Sequence, residues 1–427
     1  MKPILGAQTG AQTIINTQVA GGTSLVVLVR SARPKRAQRD GIRESWAQNA
    51  SRNVFFVVAN QTCVIPEQLR AEYWRCEPGR RYDASQAAMH RRTAALLDAR
   101  VADESARHAD MVLVDHVDAH RSSNAWLKQA YAWALRHTDA RWLVKTDDDV
   151  YVHVHALARW VRYLPDAWTL LGLLGPPGPI ATRGKTSETA QVAARYRTYP
   201  PWPRGSSGYV VSRDIAEHVS RLGDDAPSFH GEDVSMGLWL SAVDDPGRVR
   251  WIHAGWEFSN SRACRDQSRL VTGHGLLPSR LHMCATSPCL SASHPVGKGS
   301  GCGPRRLRPL EARAPLPRCA ISHRGSPLGL FVTRGTGRGG PAAAAHDSDA
   351  PCEFRLLGHE GAGDGSGWRL LVDTTSPGTS HTSRTSPPAA ATAAAAAAAA
   401  ATTRHERKPK KGEEAHARKQ RRRTSLG

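Results

Sequence analysis

Between Trp142 and Val152 an apolar, β-branched run (Trp142-Leu143-Val144) ends in three consecutive carboxylates, Asp147, Asp148 and Asp149. A second such run, Val150-Tyr151-Val152, begins at once. Runs of this kind read as strand. Acids where a buried strand ends are costly unless something neutralises them. Oxygen-rich sites suit Mg²⁺ or Mn²⁺, and such ions commonly complete their shells with substrate phosphates. In isolation the same acids read as a solvated acidic turn, so the rest of the chain has to decide between the two.

The surrounding pattern is one of alternation. Ser24 to Val29 reads as a first buried strand, Gln38 to Ala47 as a helix, and Asn53 to Ala59 as a second strand. A helix follows over 84–100, a strand over 110–114, and a strand over 141–146 that ends at the acids. From Asn124 to Arg136, Leu127, Ala130, Tyr131, Ala134 and Leu135 form the stripe of an amphipathic helix. Such alternation predicts an α/β sheet with helices on both faces, mixed and mostly parallel. Ligands in such sheets bind at the carboxyl ends of strands. Residues 171–198 read as loop or short hairpins, Ser207 to Ser212 as a strand, Asp233 to Val243 as a buried helix, and Val249 to His253 as a strand.

Composition changes along the 427 residues. Most of the 12 Trp precede residue 257, and more than half of the formal net charge of +20 lies beyond Thr286. Residues 1–22 and 291–427 therefore read as disordered, the latter Ala-rich and basic, and 23–290 as a single folded domain. The folded part is moderately basic, which suits anionic ligands. No helix-turn-helix or aromatic-interleaved RNA motif accompanies the charge, so no specific nucleic-acid partner is expected. The eight cysteines form no zinc spacing; Cys63/Cys76 and Cys264/Cys284 are candidate disulfides in an oxidising compartment, or free thiols. The early apolar run Leu25 to Val29 is too short to span a bilayer.

Four further segments carry candidate chemistry. Arg39 and Arg43 lie four apart on one helical face, able to pair with phosphate or with an acidic core group; Ile42 and Trp46 should pack inward. Asp118 is placed to bond a ribose or base, or to cap the helix that follows. In Tyr199 to Ser212, Trp202 and Tyr209 could offer stacking faces to a sugar, and Gly205 and Gly208 allow a ligand close to the backbone. Glu232 and Asp233 open an apolar helix. They read either as acids favoured by the helix dipole or, for Asp233, as a general base taking a proton from an attacking hydroxyl.

In this order, Arg-x-x-Ile-Arg-x-x-Trp at 39–46, Lys-Thr-Asp-Asp-Asp at 145–149, Gly-x-x-Gly-Tyr-Val-x-Ser at 205–212 and Glu-Asp-Val at 232–234 resemble glycosyltransferase family 31, the β-1,3-galactosyltransferase-like group. The resemblance implies a GT-A fold and an inverting transfer of galactose or N-acetylgalactosamine from UDP-galactose or UDP-N-acetylgalactosamine. The acceptor would be a glycan hydroxyl on a glycoprotein, proteoglycan or glycolipid. It implies Mn²⁺ (or Mg²⁺) on Asp147, Asp149 and His274, although an inserted Gly273 departs from the family pattern beside His274. It implies nucleotide contacts from Arg39, Arg43, Asp118, Asp147 and Asp148, with the Asp118 segment departing from the family's Asp-x-Tyr-x-Asn. It makes Asp233 the base; Trp202, Gly208, Tyr209 and Glu232 are the candidate substrate contacts. Family members are usually Golgi membrane proteins facing the lumen, by an anchor not read in this sequence. The rival readings are an N-acetylglucosaminyltransferase of the same family and a non-catalytic sugar- or nucleotide-binding relative.

Overall fold

The computed structural model describes residues 14–19, 23–72, 75–119, 123–184, 186–255, 258–259, 271–272, 275–286, 319–322, 331–334 and 352–354. All of them belong to one compact unit, Met1–Ser376. In chain order, β1 (Gln18–Val19) leads into β2 (Thr23–Arg30), α1 (Arg36–Arg43), β3 (Val54–Gln61), α2 (Ala87–His108), β4 (Met111–Val117), α3 (Ser123–His137) and β5 (Trp142–Asp147). Then come β6 (Tyr151–Val152), α4 (Val154–Val161) and β7 (Thr169–Gly172). The short strands β8 (Leu174–Gly175) and β9 (Gly178–Pro179), helix α5 (Ala190–Arg195), and β10 (Thr198–Tyr199) and β11 (Trp202–Pro203) follow. The remainder is β12 (Tyr209–Ser212), α6 (Arg213–Ser220), α7 (Glu232–Ser241), β13 (Arg250–His253), β14 (Phe258–Ser259), β15 (Val271–Thr272), α8 (Pro278–Thr286), β16 (Cys319–Ser322), β17 (Phe331–Arg334) and β18 (Cys352–Phe354).

The main sheet runs β18-β13-β7-β12-β5-β2-β3-β4, with β1 paired to β2. Its β5-β2-β3-β4 part and the β7–β13 pair are parallel, while β12 runs antiparallel to β5 and β7. This is the mixed, mostly parallel sheet expected. Strand β2 shows why its sequence is continuously apolar. Leu25, Val27 and Val29 enter one core with Ile42 and Trp46, and Val26 and Leu28 enter the other with Trp126, Leu127, Tyr131 and Met236. A strand covered on both faces loses the polar alternation of a one-sided sheet. Each of these buried aliphatic side chains contributes about 1.5–3 kcal/mol.

Several elements depart from the sequence reading. Residues 14–19, read as disordered with the rest of 1–22, are ordered. Thr17 is fully buried and bonds Asp139 Oδ1 through its N–H and its hydroxyl (2.8 and 2.7 Å), and Asn53 Nδ2 donates to Thr17 O at 2.6 Å. A polar stretch with its bonding groups satisfied can join a core edge. Strand β18, beyond the expected domain end at 290, pairs antiparallel with β13. Strands β16 and β17 pair with each other, and the rest of 291–427 lies outside the described residues. Helix α1 ends at Arg43 rather than Ala47, and a 3₁₀ segment, Gln48–Asn53, follows. Helix α2 runs eight residues past Arg100, to His108. Helices α4 and α6 and strand β7 had no counterpart in the sequence reading. Among the described residues no helix is long and apolar enough to cross a membrane.

Candidate active site

The β2–β5 register sets Arg30 beside Asp147 and Leu28 beside Lys145, so both strands deliver polar residues to the carboxyl end of the sheet. A cavity of about 400 Å³ opens there. Arg30, Lys35 and Arg70 line it with Asp118, Asp147, Asp148 and Asp149, together with His116 and Trp126. Asp118 accepts from the Arg33 N–H (2.8 Å) and has its carboxyl pushed up, chiefly by burial. It braces the loop after β2. His116 is pushed down to about 4 by burial and the Arg30 charge, so it is neutral near pH 7.

The three acids have separate surroundings. Asp148 is buried and accepts from Ser31 Oγ (2.7 Å); desolvation pushes it up to about 6 despite that bond. Asp147 meets Lys145 Nζ at 3.0 Å. Asp149 Oδ2 accepts from the Gly275 N–H at 2.8 Å, while its Oδ1 is buried with no hydrogen-bond partner among the described residues. A buried carboxylate oxygen without a donor is costly. Beside two more acids and three cations, it fits a hard divalent ion whose shell a phosphate completes. Among the described residues no group of three His, Cys, Asp or Glu forms a metal-holding cluster; of the expected ligands, Asp147 and Asp149 both line this cavity and would be the ones to hold such an ion. His274, the further ligand expected, lies outside the described residues.

Arg39 and Arg43, expected at the nucleotide end, do not line this cavity. Arg39 is fully buried and grips Glu104 with Nε and Nη2 (2.8 and 2.7 Å). It also donates to Ser31 Oγ, Ala32 O and Arg33 O (3.0, 2.8 and 3.2 Å). Arg43 bonds Asp40, Glu104 and Asp110. The acidic core group left open by the sequence is Glu104. Burial would push its carboxyl up, but the two guanidinium groups hold it down at about 2. Arg39 reaches the site only indirectly, through Ser31 to Asp148.

On the other side, α7 presents Glu232 and Asp233. Its N-cap is Gly231, without a side-chain cap bond. Asp233 accepts from the Gly205 N–H through Oδ2 (3.1 Å) and from Val234 N–H through Oδ1 (2.8 Å). Desolvation and the neighbouring Glu232 charge push it up to about 6. Glu232, expected as a substrate contact, is buried, with its carboxylate on Lys145 Nζ at 2.7 Å. Tyr209 is wholly buried, facing the Lys145 ammonium at 6.0 Å, and offers no stacking face. Gly208 is structural as well. Its φ of +71° and a would-be Cβ 3.1 Å from Lys145 O reserve the position for glycine as β12 packs on β5. Trp202 stays half-exposed, its indole against Gly175 and edge-on to Tyr199 at 5.8 Å.

The sequence reading did not single out Arg30, Ser31, Lys35, Arg70, His116 or, as a site residue, Lys145. For Arg30 and Ser31 a signal existed, since they close a buried parallel strand. Arg70 belongs to a loop closed by the Cys63–Cys76 disulfide, and nothing local marks it. The candidate pairing of those two cysteines is observed, and Cys284 is also disulfide-bonded, while Cys264 lies outside the described residues.

Residues 89–246 match the Galactosyltransferase family model. Among curated proteins, the chain is 34% identical over 161 residues to the UDP-GalNAc:beta-1,3-N-acetylgalactosaminyltransferase 2 of Danio rerio, covering 37% of this chain and 31% of the relative. With the protein of that name from Homo sapiens it shares 33% over 150 residues, 34% of this chain and 29% of the relative. With beta-1,3-galactosyltransferase 7 of Arabidopsis thaliana it shares 24% over 282 residues, 58% and 66%. The chain thus spans about a third of the length of the first two.

Proposed function

We propose that this chain, whose residues 89–246 match the Galactosyltransferase family model, is an inverting β-1,3-hexosyltransferase using UDP-galactose or UDP-N-acetylgalactosamine. The observation that carries the reading is the division of the site. A cation-lined cavity that holds the Asp147–Asp149 run lies at one end of β5, and a base-like Asp233 is linked to it through Lys145 and Glu232.

The cavity would take the donor. Arg30, Lys35 and Arg70 supply positive charge to the diphosphate, and Trp126 an apolar wall. Mn²⁺ or Mg²⁺ held by Asp147 and Asp149 would offset the negative charge that gathers on the departing diphosphate. Asp233 accepts the proton of the acceptor hydroxyl as that oxygen bonds to the anomeric carbon. The carbon's bond to the diphosphate oxygen breaks, and its electron pair leaves with UDP. Attack opposite the leaving group converts an α-linked donor into a β-glycoside. A lumenal Golgi setting is part of this reading; the Cys63–Cys76 disulfide supports an oxidising compartment.

The test incubates the protein with UDP-galactose, UDP-N-acetylgalactosamine or UDP-N-acetylglucosamine and simple glycoside acceptors, with and without Mn²⁺, reading UDP release and product linkage by NMR. A β-1,3 product from one of the first two donors is expected. No product from any of the three donors defeats the reading, and preference for the third moves it to the N-acetylglucosamine branch. Asp149→Ala and Asp233→Asn should each reduce turnover by about 10²–10⁴-fold with native circular dichroism; near-normal turnover removes that residue from its role.

A further inference from the structure

Lys145 lies on β5 two residues before Asp147, and only 1% of its side chain is exposed. Removing an ammonium from water costs several kcal/mol, and a buried ion pair is often no more stable than apolar residues of the same volume. Stability alone is therefore a poor account of a lysine here. An ammonium has three N–H donors, and Lys145 Nζ has three acceptors in reach: Glu232 Oε1 at 2.7 Å, Asp147 Oδ1 at 3.0 Å and Gly205 O at 3.4 Å.

Each acceptor is one step from a reacting centre. Asp147 belongs to the donor-side acids. Glu232 immediately precedes Asp233. Gly205 turns its own N–H to Asp233 Oδ2 at 3.1 Å. The packing around these groups leaves little slack, since a Cβ on Gly205 would come within 2.9 Å of Glu232 Oε1 and one on Gly231 within 2.6 Å of Asp233 Oδ1. Glu232 and Asp147 both hold the lysine charged, against the burial that opposes it.

Resting on the transferase reading above, we propose that Lys145 is a positioning residue. Through Glu232 and Gly205 it fixes the base-bearing start of α7 against the donor-side acid Asp147, so that nucleophile activation and leaving-group departure occur at a set separation. A displacement of about 1 Å in such a constellation costs on the order of 10²-fold in rate.

The test uses the full chain and the donor–acceptor pair found active in the screen, with kcat expressed per folded molecule and affinity for UDP with Mn²⁺ measured by calorimetry. Glu232→Ala, which removes the shorter of the two base-side contacts and leaves the one to Asp147 in place, should lower kcat by about 30-fold or more and leave UDP affinity within about threefold. Glu232→Gln, which keeps an oxygen for Lys145, should recover most of that loss. Lys145→Met should lower both kcat and UDP affinity; if it does not fold, the Glu232 pair decides. A Glu232→Ala enzyme with kcat within threefold of the parent, or equal impairment of the Ala and Gln variants, overturns the proposal. Asp233→Asn is run in parallel. If it turns over normally, the base assignment fails and takes this inference with it; if it is inactive while Glu232→Ala is not impaired, only the tether fails.

Discussion

At Asp233 a carboxylate with an ordinary value of 3.8 is pushed up to about 6, because it is desolvated and shares its turn of helix with Glu232. A base must be deprotonated to work, so kcat/KM should fall below about pH 6 with a slope of one and level off above it; a pH–rate profile flat from 5 to 8 would exclude Asp233 as the base. The carboxylates also show what a motif can and cannot convey. Asp147, Asp149 and Asp233 stand out in the sequence because acids at a strand end or a helix start need a reason to be there. Glu232 has the same signature, and its partner lies elsewhere in the fold. Its oxygen points to Lys145, a partner 87 positions away, and no local pattern encodes that. Tyr209 failed in the same way: a Gly-flanked aromatic reads as a stacking platform, but β12 pairs with both β5 and β7 and seals the ring inside.

Among the elements, α1 and α2 are joined by charge rather than by grease. Glu104 is 1% exposed and sits between Arg39 and Arg43. This explains why the end of α2 was misread: a glutamate at a core-facing position breaks the apolar period, and the arginines that make it tolerable lie more than 60 residues earlier. Its carboxyl is held at about 2 against an ordinary 4.5. Being depressed, it contributes stability that is fully present above about pH 4.5 and is lost as pH falls toward 2. Glu104→Gln should therefore unfold with a smaller loss of stability between pH 5 and 3 than the parent in chemical denaturation. Glu104→Ala should cost about 3–5 kcal/mol at pH 7 by leaving the fully buried Arg39 guanidinium without its carboxylate, while Arg43 keeps Asp40 and Asp110. Helix α7 has a different constraint: a Cβ on Gly237 would collide with Pro201 O. Backbone cannot yield as a side chain does, so Gly237→Ala should cost about 1–3 kcal/mol and lower Tm while the cavity still binds UDP.

For the whole molecule, the main sheet draws strands from both ends of the chain. Strand β1 pairs at the start and β18 at the far edge, on β13. Cutting the chain after Leu290 removes β18 and uncovers that edge. The acid-lined cavity lies at β2 and β5, three or more strands away from β13, so the proposed transfer should stay within about threefold while the truncated protein aggregates more readily, as light scattering beside an activity assay would show. What the sequence by itself determined is the class of fold, the strands buried on both faces, and the carboxylates at strand and helix ends, because periodicity and the cost of buried charge act over a few residues. Only the tertiary structure decided which charges meet. Arg39 and Arg43 went to Glu104, Lys145 went to both Asp147 and Glu232, and Arg70 reached the cavity through a disulfide-closed loop. Ion pairing depends on distance in space, and the parallel crossovers of this sheet bring together residues that the chain holds far apart.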